Sequence, residues 1–193
     1  MSKTVDARGL SCPQPVILTK RAMDENSGEE IITLVDNPTS LENVCKLAKS
    51  LGYRFSVEDL GSEQHIHMTK ESDLSKVDDD LSKNIAILVK SQFFGEGSNE
   101  LGTVLMQSFL YTLIESAPRI SHLIFMNGGV YLTTEGSPVL DHLRELERQG
   151  VQIWSCGTCL DYFSLKEKLQ VGEVTNMYNT TEALLNADKT LVF

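Results

Sequence analysis

Unbroken apolar runs of strand length, alternating with helical segments, most constrain the fold of this chain. The run Ile-Ala-Ile-Leu-Val within residues 84–90 has no alternating polar position. Such runs are typical of strands in a parallel sheet, because helices cover both of its faces. Further strands are predicted at residues 121–126, 151–155 and 190–193, with helices at residues 99–117 and 138–149. The alternation predicts an α/β domain over residues 84–193, with a parallel sheet flanked by helices.

The preceding part of the chain predicts a smaller domain of a different class. Strands are predicted at residues 3–7, 30–36, 53–60 and 64–70, with helices at residues 16–26 and 41–51. This βαβαββ order within residues 1–70 predicts a two-layer α+β domain. Acidic residues are densest in residues 71–83, which we interpret as an acidic linker. Leu74, Val77 and Leu81 recur there at helical spacing, so a short docked helix stays open as an alternative.

Composition excludes several classes of function. The chain of 193 residues has a net charge of -10, whereas binding to nucleic-acid phosphates depends on clustered Lys and Arg. No apolar run approaches the roughly 20 residues that span a bilayer, and no signal-like apolar core follows the N-terminus. We expect a cytoplasmic protein without nucleic-acid or membrane partners. In that compartment its four cysteines indicate thiol chemistry, metal ligands or core residues rather than a disulfide framework.

Cys12 is the first candidate for chemistry. It follows a predicted turn at Gly9 and precedes Pro13 and Pro15, which mark a helix start because proline is tolerated in the first helical turn. Unpaired backbone N–H groups and the helix dipole favour a thiolate at that position. Arg8 is a candidate cationic neighbour. Because cysteine is a poor helix cap compared with Ser, Thr, Asp or Asn, we favour chemistry over capping.

Cys156 and Cys159 form a Cys-Gly-Thr-Cys sequence directly after the third strand of the larger domain. This spacing allows one sulfur to attack and the other to resolve, and a helix start after the strand would favour a thiolate. Structural zinc is disfavoured, because only Cys12 and Cys45 remain as ligands. A purely structural role for both cysteines stays open. Cys45 falls on the apolar face of the second helix, so we expect it to be buried.

Two further patterns favour ordinary structural roles. His65 and His67 point to one face of a strand, where a solvated pair is favoured over a metal site. The Gly-Glu-Gly loop that begins at Gly95 lies between a strand and a helix, as a dinucleotide fingerprint does. Glu100 stands where that fingerprint requires its third glycine. We therefore expect a turn with positive φ there, and we expect no cofactor and no metal.

The stretch from Asp6 to Pro15, Asp-Ala-Arg-Gly-Leu-Ser-Cys-Pro-Gln-Pro, resembles the TusA/SirA family of small sulfur carriers. Both prolines fall in that family's Cys-Pro-x-Pro motif. The resemblance implies that Cys12 carries a persulfide, with Asp6, Arg8, Pro13 and Pro15 in supporting roles. It also implies two protein partners, a desulfurase-like persulfide donor and a downstream acceptor.

Residues 84–193 are similar to the DsrE-like sulfurtransferases, whose cysteine follows a strand of a parallel sheet, and Cys156 is the matching residue. The Arg-Gly pair that often follows in that family is absent, since Tyr162 and Phe163 stand in that region, and Cys159 is additional. The two halves together resemble the YedF family, which is associated with selenium metabolism. Nothing in the residues distinguishes selenium from sulfur.

The leading hypothesis is a sulfurtransferase-like carrier that relays sulfur or selenium through Cys12 and Cys156. The alternative is a thiol-disulfide oxidoreductase or redox sensor that uses Cys156 and Cys159 alone. A third interpretation is a binding module without chemistry. Residues 93–94 and 130–132 are apolar and predict an exposed patch that a second copy would cover, so we expect a homo-oligomer.

Overall fold

The computed structural model describes residues 2–26, 28–70 and 84–193. It divides the chain into two units, Met1–Asp78 and Asp79–Phe193, each with its own sheet and hydrophobic core. The segment predicted as an acidic linker, residues 71–83, lies outside the described residues. That assignment stays a prediction.

The first unit has the predicted βαβαββ order. Its elements are β1 (Ser2–Asp6), α1 (Gln14–Glu25), β2 (Glu30–Val35), α2 (Pro38–Ser50), β3 (Tyr53–Asp59) and β4 (Gln64–Lys70). The sheet order is β1-β2-β4-β3, in which β1 and β2 are parallel and the other pairs antiparallel. The crossover through α1 makes the first pair parallel, whereas the tight turn at Gly61 closes an antiparallel hairpin.

The core of the first unit lies between its sheet and its two helices. Alternate residues of β2 and β4 face the helices, so Ile31, Val35, Ile66 and Met68 are fully buried. The intervening residues, including His65 and His67 on β4, face the opposite side and are partly exposed. The sheet therefore holds α1 and α2 side by side on one face.

The second unit is the predicted α/β domain with a parallel sheet. Its elements are β5 (Ile85–Val89), α3 (Asn99–Leu113), β6 (Ile120–Phe125), α4 (Leu140–Arg148), β7 (Gln152–Cys156), α5 (Gly157–Tyr162), β8 (Glu173–Thr175), α6 (Met177–Leu185) and β9 (Lys189–Val192). The strand order is β8-β7-β6-β5-β9, and all four pairings are parallel. Three 3₁₀ segments complete the unit: Ile114–Arg119, Asn127–Thr133 and Lys166–Lys168. No helix in the described ranges is long and apolar enough to cross a bilayer.

The Asn127–Thr133 segment, a 3₁₀ segment, corrects most of the predicted apolar patch. Val130 and Leu132 within it are buried in the core of the unit. Phe94 is half-buried, with its ring 5.0 Å from that of Phe109. Of residues 93–94 and 130–132, only Tyr131 is exposed, so most of the predicted patch was wrong. The sequence did not reveal this because the segment is too short to show a helical repeat. The exposed apolar side chains of this unit include three on α3, Leu101, Val104 and Leu105.

The Gly-Glu-Gly loop after β5 has the turn conformation that its sequence predicts. Gly95 has φ +81° and Gly97 has φ +124°, values that non-glycine residues rarely adopt. Ser98 then caps α3 by accepting a hydrogen bond from the backbone N–H of Leu101 at 3.3 Å. The loop is thus explained by backbone geometry.

Candidate thiol sites

Cys12 lies just outside the start of α1 and is exposed. The helix begins at Gln14, two residues earlier than predicted, with Pro13 as an N-cap that makes no side-chain capping bond. The backbone oxygen of Ser11 accepts the N–H of Gln14 at 3.0 Å. Gly9, with φ +70°, turns the chain after β1 and donates its N–H to Asp36 at 2.7 Å. This loop presents the thiol to solvent, where another protein can reach it.

Pro15 fixes the beginning of α1 to the sheet. It is buried in the first turn, and its backbone oxygen accepts a hydrogen bond from the Thr19 hydroxyl at 2.7 Å. Thr19 in turn lies 3.0 Å from the hydroxyl of Thr33 on β2, and both hydroxyls are buried. The two prolines therefore mark the helix start as predicted, and Pro15 anchors it.

Arg8 is engaged by carboxylates rather than by the Cys12 thiol. Its guanidinium donates two hydrogen bonds to Asp6, at 2.9 and 2.7 Å, and a third to Glu63 at 2.6 Å. Hydrogen bonds from Arg8 lower the pKa of Asp6 to about 2, and the same contacts raise the pKa of Arg8. A planar guanidinium pairs best with carboxylate oxygens. Arg8 therefore links β1 to the turn before β4, and its predicted role beside Cys12 stays a prediction.

Asn43 is a neighbour of Cys12 that the sequence did not reveal. Its side-chain amide, on α2, donates to the Cys12 sulfur at a distance of 3.8 Å. Among the described residues, Asn43 is the one that forms a hydrogen bond with the Cys12 sulfur. The contact spans 31 positions of sequence and exists because α1 and α2 pack side by side. No local motif could have predicted it.

Cys156 and Cys159 lie together at the carboxyl end of the parallel sheet. Cys156 is the last residue of β7 and is only 6% exposed. Cys159, one turn later in α5, is partly buried and lies close enough to Cys156 for the two thiols to interact electrostatically. The Cys159 sulfur also accepts the backbone N–H of Asn127 at 3.2 Å. The spacing therefore brings both sulfurs into one enclosed site.

The surroundings of the Cys159 thiol oppose its ionisation. Burial is the largest cause that raises the pKa of Cys159, and its interaction with the neighbouring Cys156 adds to the rise. The N–H of Asn127 acts in the opposite direction but is the smaller effect. Desolvation disfavours the charged form of any thiol. Burial therefore favours the protonated thiol of Cys159, and the thiolate predicted after the strand stays a prediction.

The Asn127–Thr133 segment supplies the N–H that reaches Cys159. Asn127 has φ +49°, in the left-handed region that asparagine tolerates better than most residues. Gly129 donates its N–H to Met126 at 2.9 Å, and a β-carbon on it would lie 2.3 Å from the backbone oxygen of Val89. Thr133 shares a buried hydrogen bond of 2.8 Å with Ser155 of β7. The segment is thus packed against two strands beside the thiols.

Cys45, His65 and His67 make contacts within the first unit that are typical of core and surface residues. Cys45 is partly buried against the first core, and burial raises its pKa. His65 pairs with Glu63 at 2.9 Å, and His67 pairs with Glu30 at 3.1 Å. In the parts of the chain that the structure describes, no three His, Cys, Asp or Glu side chains form a group that could hold a metal ion.

Comparison with known families assigns each unit separately. Residues 3–70 match the family Sulfurtransferase TusA. Residues 83–193 match the DsrE/DsrF-like family. Cys12 thus falls in the first match, and Cys156 and Cys159 fall in the second.

Individual relatives align with the first unit. A protein of Methanocaldococcus jannaschii named "putative sulfur carrier protein" is 42% identical over 52 residues, 26% of this chain and 69% of the relative. One of the same name from Thermotoga maritima is 35% identical over 66 residues, 33% of this chain and 84% of the relative. The crystal structure of a SirA-like protein from Desulfitobacterium hafniense is 35% identical and covers 37% of this chain and all of that one, with a TM-score of 0.34. The chain therefore belongs to the DsrE/DsrF-like family through residues 83–193 and to the TusA sulfur carriers through residues 3–70.

Proposed function

We propose that this protein relays persulfide sulfur between protein partners and that Cys12 is the residue that takes the sulfur up. The observation that carries the proposal is the exposed thiol of Cys12 at the start of α1, within the segment that matches the TusA family. An exposed thiol outside a helix start is open to a donor protein. The proposed arrangement is a carrier domain at residues 1–70, a linker at residues 71–83 and a DsrE-like domain at residues 84–193, acting in the cytoplasm.

The uptake step is an exchange at sulfur without net oxidation. The Cys12 thiolate attacks the terminal sulfur of a donor persulfide, R–S–SH, and forms a new S–S bond. The S–S bond of the donor breaks, and the donor leaves as its thiolate, so Cys12 becomes Cys12–S–SH. The same exchange operates with a terminal selenium atom, and we include selenium as a cargo of the same chemistry.

Cys156 is the proposed second carrier. Its thiolate attacks the terminal sulfur of Cys12–S–SH, which regenerates the Cys12 thiolate and leaves Cys156–S–SH. Cys159 then attacks the inner sulfur of that persulfide after losing its proton, forming a Cys156–Cys159 disulfide and releasing hydrosulfide. An external dithiol reduces the disulfide to complete the cycle. The contact between the two sulfurs supports this resolving step.

Mass analysis after loading tests the uptake step. Incubation of the full chain with a persulfide donor, such as a desulfurase with L-cysteine, and without an external dithiol should leave one sulfur atom on Cys12 of the wild type, because the Cys156–Cys159 disulfide formed in the first cycle blocks onward transfer. Cys12→Ser should abolish this addition, whereas Cys45→Ser, which changes a partly buried cysteine of the first core, should retain it. An unloaded wild type, or equal loading of the Cys12→Ser variant, would overturn the proposal.

Mixing two variants tests the second step. A Cys156→Ser chain loaded at Cys12 is mixed with an isotopically labelled Cys12→Ser chain, in which Cys156 and Cys159 are intact. Transfer should move sulfur to the labelled chain or release it as hydrosulfide. Equal transfer to a labelled chain that lacks both Cys12 and Cys156 contradicts the relay.

The contact between Cys156 and Cys159 also supports a second function, that of a thiol-disulfide oxidoreductase or redox sensor. The two functions differ in their dependence on Cys12. A reversible Cys156–Cys159 disulfide that turns over in the Cys12→Ser variant, without sulfur loading of the wild type, would favour the second function.

Self-association is a further part of the proposal. The exposed face of α3 carries Leu101, Val104 and Leu105, and Glu100 is the helix's single charged residue. On a chain with a net charge of -10, such an uncharged apolar face is suited to contact a second copy. A monomeric mass in solution, unchanged by Val104→Lys, would contradict this part.

A further inference from the structure

A cavity in the second unit takes no part in the proposed relay. Its volume is about 280 Å³, and it is bordered by α3, the end of the Asn127–Thr133 segment and the Lys166–Lys168 segment. None of the cysteines lines it. The volume lies at the lower end of the range of small-molecule sites, roughly 300–1,000 Å³, so it suits a molecule smaller than a nucleotide.

The floor of the cavity is apolar and its wall is polar. Met106, Leu132 and Val139 line the floor and are almost completely buried. Gln92 and Gln107 line the wall, are half-buried, and make no side-chain hydrogen bond with another described residue. Unpaired amides beside an apolar floor are typical of sites that orient a small ligand.

Two opposite charges stand at the rim without pairing. The backbone N–H of Glu135 donates to the backbone oxygen of Lys168 at 2.8 Å, so the two residues are neighbours. Both side chains are exposed, and neither forms an ion pair with any described residue. Lys166 in the same segment, by contrast, pairs with Asp161 at 3.3 Å. The rim therefore offers one free cation and one free anion side by side within the described structure.

We propose that this cavity binds a free α-amino acid with an apolar or thioether side chain. Lys168 would pair with the ligand's carboxylate and Glu135 with its ammonium group, while the ligand side chain lies on the apolar floor. The small volume disfavours nucleotides, and the neutral sum of the rim charges disfavours a ligand that carries net charge. A zwitterion with a compact apolar side chain fits the small volume, the apolar floor and the two opposite charges at the rim.

Titration calorimetry of the full chain with L-methionine tests the proposal. Two matched analogues, one lacking the amino group and one lacking the carboxylate, should each bind at least about tenfold more weakly, a loss of about 1.4 kcal/mol. Equal binding of either analogue, or no heat of binding with millimolar L-methionine, overturns the proposal.

Substitutions at the rim locate the site. Lys168→Met and Glu135→Gln should each weaken methionine binding at least about tenfold. Lys166→Met is the matched control, since Lys166 lies two positions away but does not line the cavity, and it should bind as the wild type does. An equal loss in the Lys166 and Lys168 variants overturns the assignment. Cys12→Ser should retain methionine binding, because this site is independent of sulfur loading.

Discussion

The two thiol sites of this protein differ in what surrounds the sulfur. Cys12 is exposed and receives one long hydrogen bond, from the Asn43 side chain. Cys156 is almost completely buried, and its neighbour Cys159 is held by a backbone N–H from a packed segment. An exposed sulfur meets a partner protein directly, whereas an enclosed pair is arranged to react with itself. In the proposed relay, the first site would therefore exchange sulfur with a partner protein, and the second would resolve the persulfide.

The substitution Gly129→Ala, for which we expect the strongest change, tests whether the second thiol site depends on close packing. Gly129→Ala would place a β-carbon 2.3 Å from the Val89 oxygen, so the Asn127–Thr133 segment must shift. We expect a destabilisation of about 3 kcal/mol, the upper end of the usual cost of overpacking. Denaturant unfolding followed by the fluorescence of Trp154, the single tryptophan of the chain, measures it in the second unit.

The adjacent glycine provides the control for this substitution. A β-carbon on Gly128 would lie 3.8 Å from the Lys90 oxygen, which is ordinary contact. Gly128→Ala should therefore leave the Trp154 transition near that of the wild type. If the two variants unfold at the same denaturant concentration, the second site does not depend on this close packing.

Alkylation rates test the difference in exposure directly. Iodoacetamide should modify Cys12 at least about tenfold faster than Cys156 in the native protein, because modification of a buried thiol requires an opening that costs at least about 1.4 kcal/mol. Peptide mass mapping over time measures both rates. In denaturant the rates should converge. Native rates that are already equal would contradict the enclosed second site.

The sequence predicted the architecture where apolar periodicity was strong. The runs that became β5, β6 and β7 are buried on both faces, so their composition alone marked them as central strands. β8 was missed because it has three residues, of which Glu173 and Val174 are exposed. The Asn127–Thr133 segment was not predicted, since a 3₁₀ turn is too short to give a repeat in the sequence.

The sequence also located the candidate cysteines but not the groups that contact them. Cys12 could be placed at a helix start from its prolines, and Cys156 at a strand end from the preceding apolar run. Asn43 and Asn127 were not predicted, because each reaches its sulfur through tertiary packing across more than 30 positions. Arg8 was assigned to Cys12 by proximity in sequence, yet carboxylates bind its guanidinium.

Substitutions of Asn43 test whether it positions the Cys12 sulfur, and we expect a moderate change in the rate of sulfur uptake. Asn43→Ala removes the amide that donates to the sulfur, so sulfur uptake should slow about threefold, or about 0.7 kcal/mol, within the range of one hydrogen bond. Asn43→Asp should slow it further, because a carboxylate repels the attacking thiolate. Ser50→Ala, at the other end of α2, is the control. A purely structural role predicts the same rate for the alanine and aspartate variants at equal stability.

We expect the weakest of these effects when the pH is lowered, which should reduce the stability of the two units to different extents. Burial lowers the pKa of His122 and His142 in the second unit below the ordinary value of 6.5. The unfolded chain therefore binds protons first, so their stabilising contribution is complete above pH 6.5 and is lost as the pH falls below it. In the first unit the lowered pKa of Asp6, about 2, has the same sign but acts only at far lower pH.

Acidification from pH 7 to pH 5 should therefore weaken the second unit before the first. The Trp154 unfolding transition should shift to lower denaturant concentration over this range, and His122→Gln with His142→Gln should reduce the shift. His122 packs its ring 4.5 Å from that of Trp154, and His142 lies 5.2 Å from the ring of Tyr111, so an aromatic ring covers part of each imidazole. Burial lowers the pKa of both, against a hydrogen bond with Gln152 at His122 and the charge of Asp141 at His142, which raise it. A transition that stays constant in the wild type from pH 7 to pH 5 would show that protonation of these rings costs the folded state nothing, and the two units would then respond to acid alike.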